Sequence, residues 1–251
     1  MISRRQLIGA AGAGAGGLLL GGCDRIDALP GVRKVLAIGN EATRLAQRAV
    51  TDRAALAPEY GAADMSPKFR VNGNARPSSA DYARLLAGGF ADWRLGVGGM
   101  VARPLSLSLD QLRRMPARTQ ITRHDCVEGW SAIGQWTGVP LRLLLRQAGL
   151  STQARYIVFR CADDFGGTPY YESIDLVDAF HPQTILAWGM NGQALSVGHG
   201  APLRLRVERQ LGYKHAKYVM GLEAVRSFDP IAGGRGGYWE DVSGYQWYAG
   251  I

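Results

Sequence analysis

The sequence predicts an α+β fold, with mixed sheets and short helices in a single folded domain. Three observations carry this. Helical and strand patterns are short and follow one another without regular strand–helix alternation, which argues against a doubly wound parallel sheet. No internal repeat or low-complexity run appears outside the first residues. The apolar fraction, 47%, is enough to fill one core.

The elements follow in order. Residues 31–57 read as a spacer containing a helix that ends at Pro58. Leu45, Ala49, Ala55 and Leu56 give it an apolar face, and Arg44, Arg48, Asp52 and Arg53 a polar one. Two readings of it stay open: a solvated helix packed on the domain, or a partner-binding one. Ser66-Pro67 marks the start of the core. Asp81–Leu86 is a helix begun by Ser78 or Ser79 and stopped by Gly88-Gly89. Trp93–Val101 alternates as a strand. Ser108 caps a helix through Arg114, broken by Pro116. Ile121 begins a strand that delivers Cys126. Pro140 suits the first turn of a helix through Ala148, with Gly149 as its stop. Tyr156–Phe159 is a strand, and Asp175–Phe180 a short helix ending at His181-Pro182. Thr184–Trp188, the Asn191-Gly192 turn and Leu203–Val207 read as strand, tight turn and strand. Lys217–Leu222 is the last strand.

The N-terminus sets the compartment. Ser3-Arg4-Arg5-Gln6-Leu7-Ile8 precedes a run of small and apolar residues from Gly9 to Gly22. Paired arginines before such a run read as a twin-arginine export signal. The run is too short and too rich in Gly and Ala for a comfortable membrane span. Leu20-Gly21-Gly22-Cys23 resembles a lipoprotein cleavage box, which would leave Cys23 as a lipidated N-terminus. An uncleaved anchor helix, or a free cysteine in a tail, are the plainer alternatives. The expected division is residues 1–22 as signal, 23–65 as linker and N-terminal helix, and 66–251 as the folded domain. The expected location is the periplasm, with a lipid holding the protein to the membrane. Twin-arginine export carries folded proteins, so a cofactor inserted in the cytoplasm can travel inside its protein.

Net charge is +8, with Arg4 and Arg5 contributing two of the positive charges. A basic chain suits nucleic acid, an anionic membrane face or an anionic cofactor. Export, scattered basic residues and the lack of a DNA-binding motif argue against nucleic acid. Of three cysteines, a lipidated Cys23 would leave Cys126 and Cys161. In an oxidising compartment the plain expectation is a disulfide between them. A thiolate committed to metal cannot also form that bond.

Cys126 lies in Arg123-His124-Asp125-Cys126-Val127-Glu128-Gly129-Trp130-Ser131. Only a deprotonated sulfur binds metal, and Arg123 and His124 are basic neighbours that would favour the thiolate. A buried structural cysteine is the alternative. Two later segments accompany it: Met190-Asn191-Gly192-Gln193-Ala194-Leu195 with His199-Gly200-Ala201-Pro202-Leu203-Arg204, and Gly212-Tyr213-Lys214-His215-Ala216-Lys217. Arg204 suits phosphate as a two-donor fork and Lys214 as a point charge. Gly200 and Gly212 let backbone N–H groups approach an anion. Taken singly, Arg204 reads as an outward strand residue, and Lys214 and Lys217 as a solvated edge.

In order and spacing these segments resemble the sulfite-oxidase superfamily of molybdopterin enzymes, from about Phe69 to the C-terminus. The nearest likeness is to the bacterial periplasmic branch that includes methionine-sulfoxide reductase catalytic subunits. The resemblance implies the sulfite-oxidase fold in a single catalytic domain, with a Mo-molybdopterin cofactor. It implies an oxidoreductase of two-electron oxygen-atom transfer, with molybdenum cycling between oxidation states VI and IV. Cys126 would be a permanent molybdenum ligand. His199, Arg204, Gly212, Tyr213 and Lys214 would hold pterin and phosphate. An asparagine early in the core would join them, Asn72 or its rival Asn74. Cys161 stands where the reductase branch has a threonine, and a thiol is the weaker donor. Glu128, two residues past Cys126, would share its face in an extended segment and order water or pass protons there; a surface carboxylate is the equal alternative. Trp130, Trp136 and Tyr245-Gln246-Trp247-Tyr248 read as core. His124, His181 and His215 suggest no zinc site.

Reduction of an S- or N-oxide, small or protein-bound, is the expected chemistry. A sulfite-type oxidase is the first alternative, and a lipid-anchored binding protein with the fold but no metal the second. A Cys-x-x-Cys-His haem motif is absent from the sequence, so electrons are expected through a separate redox partner such as a membrane haem protein. A monomer is expected, since the chain lacks the C-terminal dimerisation domain of sulfite oxidases.

Overall fold

The computed structural model describes residues 30–251, with side chains from Ile38 onward. The predicted export segment, Arg4, Arg5 and Cys23 lie outside the described residues. The chain forms two compact units, one ending at Thr51 and one running from Asp52 to Ile251. The first holds helix α1, Pro30–Val50. The sequence pattern carries this helix to Pro58, but it stops at Val50. Just beyond, the Asp52 carboxylate accepts the Ala54 N–H at 2.8 Å, a local turn that competes with helical bonding.

Residues 52–65, expected as linker, are docked within the second unit. Ala57 exchanges two bonds with the Gln183 side chain, at 2.8 and 3.0 Å. Tyr60 N–H donates to the Ile121 carbonyl at 2.9 Å. The packed chain therefore begins near Asp52 rather than at Ser66, because buried Gln183 satisfies backbone that a linker would leave to water.

The second unit has ten strands in chain order: β1 Arg94–Gly99, β2 Leu105–Ser108, β3 Arg118–Asp125, β4 Ser131–Pro140, β5 Tyr156–Phe165, β6 Thr168–Asp175, β7 Ile185–Met190, β8 Gln193–Ala194, β9 Arg204–Arg206 and β10 Val219–Val225. They make two five-stranded sheets. One is ordered β2-β1-β10-β5-β6, with β1 and β10 parallel. The other is ordered β3-β4-β7-β8, with β9 also on β7. Five short helices fill the rest: α2 Ala80–Ala87, α3 Leu109–Arg114, α4 Leu141–Ala148, α5 Leu176–Ala179 and α6 Tyr238–Ser243. The α+β expectation is met.

Local chemistry places these elements. Ser79 and Asp175 cap α2 and α5 through their side chains, and Ser108 with Gln111 forms a capping box on α3. Gly149 ends α4 at φ 69°, a left-handed position that suits glycine. Asn191 and Gly192 both take positive φ in the β7–β8 turn. The strand across that turn is therefore β8; the predicted partner, Leu203–Val207, contains β9, which pairs with β7 farther along. At Gly138 a Cβ would lie 2.2 Å from the Leu186 carbonyl oxygen, so only glycine lets β4 and β7 close there.

The main core packs Leu141, Leu144 and Leu145 of α4 with Leu95, Ile157, Phe159, Leu205 and Leu222 from the strands. Each such burial contributes roughly 1.5–3 kcal/mol. A second cluster centres on fully buried Trp136 with Ile185, Ala187 and Leu195. Between them the fold brings together the C-terminal ends of β3 and β5, the segment before β9 and the segment before β10.

Candidate active site

A cavity of about 510 Å³ opens where these ends meet, within the usual range for small-molecule sites. Its wall includes Phe69–Asn74, residues on both sides of Cys126, the end of β5, Gly198, His199 and Arg204, then Gly212, Tyr213, His215 and Lys217, and Trp239 and Tyr245 from the C-terminal stretch.

Cys126 follows β3 in a tight turn. Its N–H donates to the Trp130 carbonyl at 2.9 Å and its carbonyl accepts the Gly129 N–H at 3.0 Å. The residue is 6% exposed, with His124, Val127 and Glu128 on the wall around it. Asn72, also on the wall, donates to its Sγ at 2.9 Å. Asn74 instead donates to Asp163 at 3.2 Å and to the Asp164 carbonyl at 2.8 Å. Burial pushes the Cys126 thiol up, against a hydrogen bond from the Glu128 backbone. The basic neighbours expected to favour the thiolate do not act that way. Arg123 is exposed and pairs with Asp125 at 3.0 Å. His124 is buried beside Arg206, 2.9 Å from its Nδ1, and burial with Arg206 and Arg204 holds it well below the usual histidine range. Glu128 lies on the wall and accepts the Trp130 indole N–H at 3.2 Å. It gets there through the turn, not through the extended alternation expected. Trp130, expected as core, is half-buried on the same wall.

Three cations on the wall have no carboxylate in ion-pair contact among the described residues: exposed Arg70, 5.9 Å over the Trp130 ring, and, less exposed, Arg204 and Lys217. Arg204 is 5% exposed, lies over Trp136 at 4.8 Å, and donates to the His199 carbonyl at 3.0 Å, while its Nε has no partner. Burial, then Arg206, brings its pKa down to about 9. Lys217 Nζ donates only to carbonyls, of Asn72 at 2.7 Å, Asn74 at 2.5 Å and Gly198 at 2.9 Å. Burial, then Arg204, brings its pKa down to about 7. Asp163 is buried on the same wall with one oxygen unpartnered, and burial raises its pKa to about 6.

Other expected positions divide. His199 and Gly212 are on the wall. His199 Nδ1 is 2.8 Å from Ser196 Oγ, and burial, then Arg204, lowers its pKa. A Cβ at Gly212 would stand 2.5 Å from His124 Nε2, so glycine is what lets this turn close on the Cys126 segment. Tyr213 is on the wall, with its hydroxyl donating to the Gln246 carbonyl at 2.6 Å and its carbonyl accepting from Tyr170 at 2.9 Å.

Lys214 is a correction. It is fully buried, off the wall, and bonded to Glu172 and, at 2.7 Å, to Glu240. Burial works against its charge, but the two carboxylates outweigh it and raise its pKa. Two nearby carboxylates already occupy this ammonium, so it has no free charge for a phosphate. Cys161 is the second correction: it packs half-buried against the main core and is not on the wall, whereas Asp163, two residues on, is. Cys126 and Cys161 are both free thiols.

Asp163 and Lys217 were not singled out as ligands by sequence reasoning. Each sits among residues that mask it: Asp163 beside Asp164 in β5, and Lys217 three residues after Lys214.

The chain matches the oxidoreductase molybdopterin binding domain over residues 85–230. It is 46% identical over 160 residues to a protein of Azospira oryzae named "Putative protein-methionine-sulfoxide reductase subunit YedZ1", the match covering 64% of this chain and 56% of that one. The chain thus spans about half the length of that relative. It superposes on the sulfane dehydrogenase SoxCD from Paracoccus pantotrophus with a TM-score of 0.53 and 24% identity, over 61% of this chain and 41% of that one. At that identity the likeness is one of fold, the sulfite-oxidase-like arrangement that the sequence motifs implied. By its domain match, which spans more than half of its length, this chain belongs to the oxidoreductase molybdopterin binding domain family.

Proposed function

We propose that this oxidoreductase reduces a sulfoxide, free or on a methionine side chain, to the thioether, consuming two electrons and two protons and releasing water. The observation that carries the site assignment is the pair of acid-free cations withdrawn from solvent, buried Arg204 and half-buried Lys217, on the same wall as Asn72 and the Cys126 turn. Such a wall fits an anionic, heterocyclic cofactor. Arg204 and Lys217 would take the phosphate as charge-assisted donors. Asp163, with one oxygen unpartnered, would accept a ring N–H, and His199 and Tyr213 would flank the ring system. Cys126 would supply the thiolate ligand, oriented by the Asn72 amide. Metal binding would offset the burial that otherwise favours the thiol. When bound, the cofactor supplies oxygen-atom transfer coupled to two-electron redox chemistry.

The chain's own residues would do the rest. Trp130, Tyr213, Trp239 and Tyr245 give the cavity an aromatic side suited to an apolar thioether or sulfoxide. Glu128, exposed on the wall, would hold water and pass protons to the oxygen being removed. The methionine-sulfoxide reductase name of the Azospira relative supports this substrate class, and its designation as a subunit supports a separate electron-delivering partner.

We assign the working location to the periplasm, with Arg4 and Arg5 directing export and Cys23 carrying a lipid. Arg4→Lys with Arg5→Lys should hold the protein in the cytoplasm, and its normal export would contradict that assignment. The activity is tested by reduced-dye turnover against a panel of S- and N-oxides, beside a sulfite oxidation assay. Sulfoxide turnover is expected. Sulfite turnover with silence across the panel would overturn it in favour of a sulfite-type oxidase.

A further inference from the structure

Helix α1 is sharply two-sided, and its sides face the wrong way for a helix that belongs only to water. Ile38, Ala42, Leu45 and Ala49 recur at helical spacing, with Ala46 and Val50 beside them. All six are exposed, Ile38 at 69%, Leu45 at 55% and Val50 at 85%. The polar half carries Arg44, Gln47 and Arg48, and these are the half-buried residues of the helix. The same apolar spacing runs back in the sequence through Val35 to Val32. By sequence the helix carries four cations, Arg33, Lys34, Arg44 and Arg48, and one anion, Glu41, which pairs with Arg44, so its net charge is positive.

We infer that α1 lies flat on an anionic phospholipid surface, apolar half down, and so docks the enzyme on the membrane as well as tethering it. The charge balance selects the partner. An excess of arginine and lysine beside an apolar half is what an anionic bilayer face attracts, each such residue near the surface contributing to binding. An apolar protein groove would have no use for it. Length fits lying rather than crossing: no helix among the described residues is long and apolar enough to span a bilayer, while 21 residues reach about 30 Å along a surface. Sequence position fits too. Cys23, where the sequence predicts a lipid, precedes the helix by seven residues, so a lipid there would hold α1 within reach of the headgroups. This inference goes beyond the proposed activity and does not depend on it.

The test uses the full-length protein on vesicles of phosphatidylcholine with phosphatidylglycerol, some acyl chains brominated. A fluorescent non-natural amino acid replaces Leu45 in one variant and Gln47 in another. Because the reading is local, it separates contact by the helix from tethering by the N-terminus. The inference expects severalfold stronger quenching at Leu45 than at Gln47, with the difference shrinking when phosphatidylglycerol is left out. High salt should shrink it too, through screening. Equal weak quenching at both positions on vesicle-bound protein would overturn it, as would failure of the full chain to bind the vesicles. Shielding of the Leu45 probe before vesicles are added, with dimer in sedimentation, would overturn it in favour of a second copy covering the face. Molybdenum content and dye turnover of the same variants separate this outcome from failure of the proposed activity.

Discussion

Arg204 and Arg206 stand two residues apart on β9, both buried and both over Trp136, at 4.8 and 4.3 Å. Their surroundings differ. Arg206 gives Glu208 a two-pronged bond, at 2.9 and 2.5 Å, and reaches His124. Arg204 has carbonyls, a bare Nε and no acid. The contrast repeats with Lys214, held by Glu172 and Glu240, and Lys217, held only by carbonyls. Behind the cavity the cations are neutralised by the protein; on its wall they are left for something else to neutralise. A buried charge without a partner is expensive. Buried Arg204 and half-buried Lys217 break this rule, which is why an anion is proposed beside them.

The largest effect should come from Cys126→Ser. Losing the thiolate ligand should lower bound molybdenum by at least about tenfold, since even outer partners of metal ligands matter at that scale. Elemental analysis of folded protein from a molybdenum-competent host reads this directly.

Next come the neutralised cations, whose loss should damage the fold. Arg206→Met leaves Glu208 buried without its cation, with the Gln120 amide at 2.7 Å as its remaining side-chain donor, an expected loss of about 3–5 kcal/mol in denaturant unfolding. Removing both partners, Arg206→Met with Glu208→Leu, should recover most of it. Lys214→Met should act in the same direction but less, because burial and Glu240 already raise the Glu172 pKa and a carboxyl can take up a proton. If Arg206→Met leaves stability unchanged, the division between structural and cofactor cations fails.

A smaller effect concerns pH. The folded pKa of Lys217 is brought down to about 7, below its ordinary lysine value of 10.5. Between those values the unfolded chain binds the extra proton, so stability of the cofactor-free protein should rise with pH across that window. Asp163 acts oppositely: its pKa is raised from 3.8 to about 6, so its part of the stability falls as pH climbs through that interval. A bound anion beside Lys217 should restore its charge and flatten the upper slope. Unfolding curves of apo and holo protein from pH 7 to 10.5, with Lys217→Met as reference, distinguish these cases. The smallest expected effect is covalent: peptide mapping of the holo protein without reductant should find no disulfide between Cys126 and Cys161, and a quantitative crosslink between them would favour a structural role for Cys126.

What could be read from the sequence followed from local chemistry. The Ser108 cap, the Gly149 stop and the Asn191-Gly192 turn need only neighbouring residues, and all three hold. Strand β4 escaped detection because glycines at 134 and 138 interrupt its inward face, and Gly138 is needed there by the Leu186 carbonyl on another strand. Strand β6 escaped because Glu172, fully buried, breaks its apolar run, and its partner Lys214 lies 42 residues away. The site divides likewise. The Cys126 turn, His199, Arg204 and Gly212 stand in recognisable segments. Lys214 read as the free lysine because its two carboxylates are distant in sequence, and Lys217 read as solvated edge because nothing local shows its carbonyl cage.

The account rests on Arg204 being the cation that the fold leaves for the cofactor, and one measurement addresses it: molybdenum per folded chain in Arg204→Ala beside the Arg206→Met, Glu208→Leu double variant. Removing a charge-assisted bond of about 1.5–3 kcal/mol should weaken cofactor retention in Arg204→Ala roughly ten- to hundredfold, without loss of apo stability. The double variant should keep its molybdenum. Wild-type molybdenum in Arg204→Ala, or equal loss in both, would contradict the account.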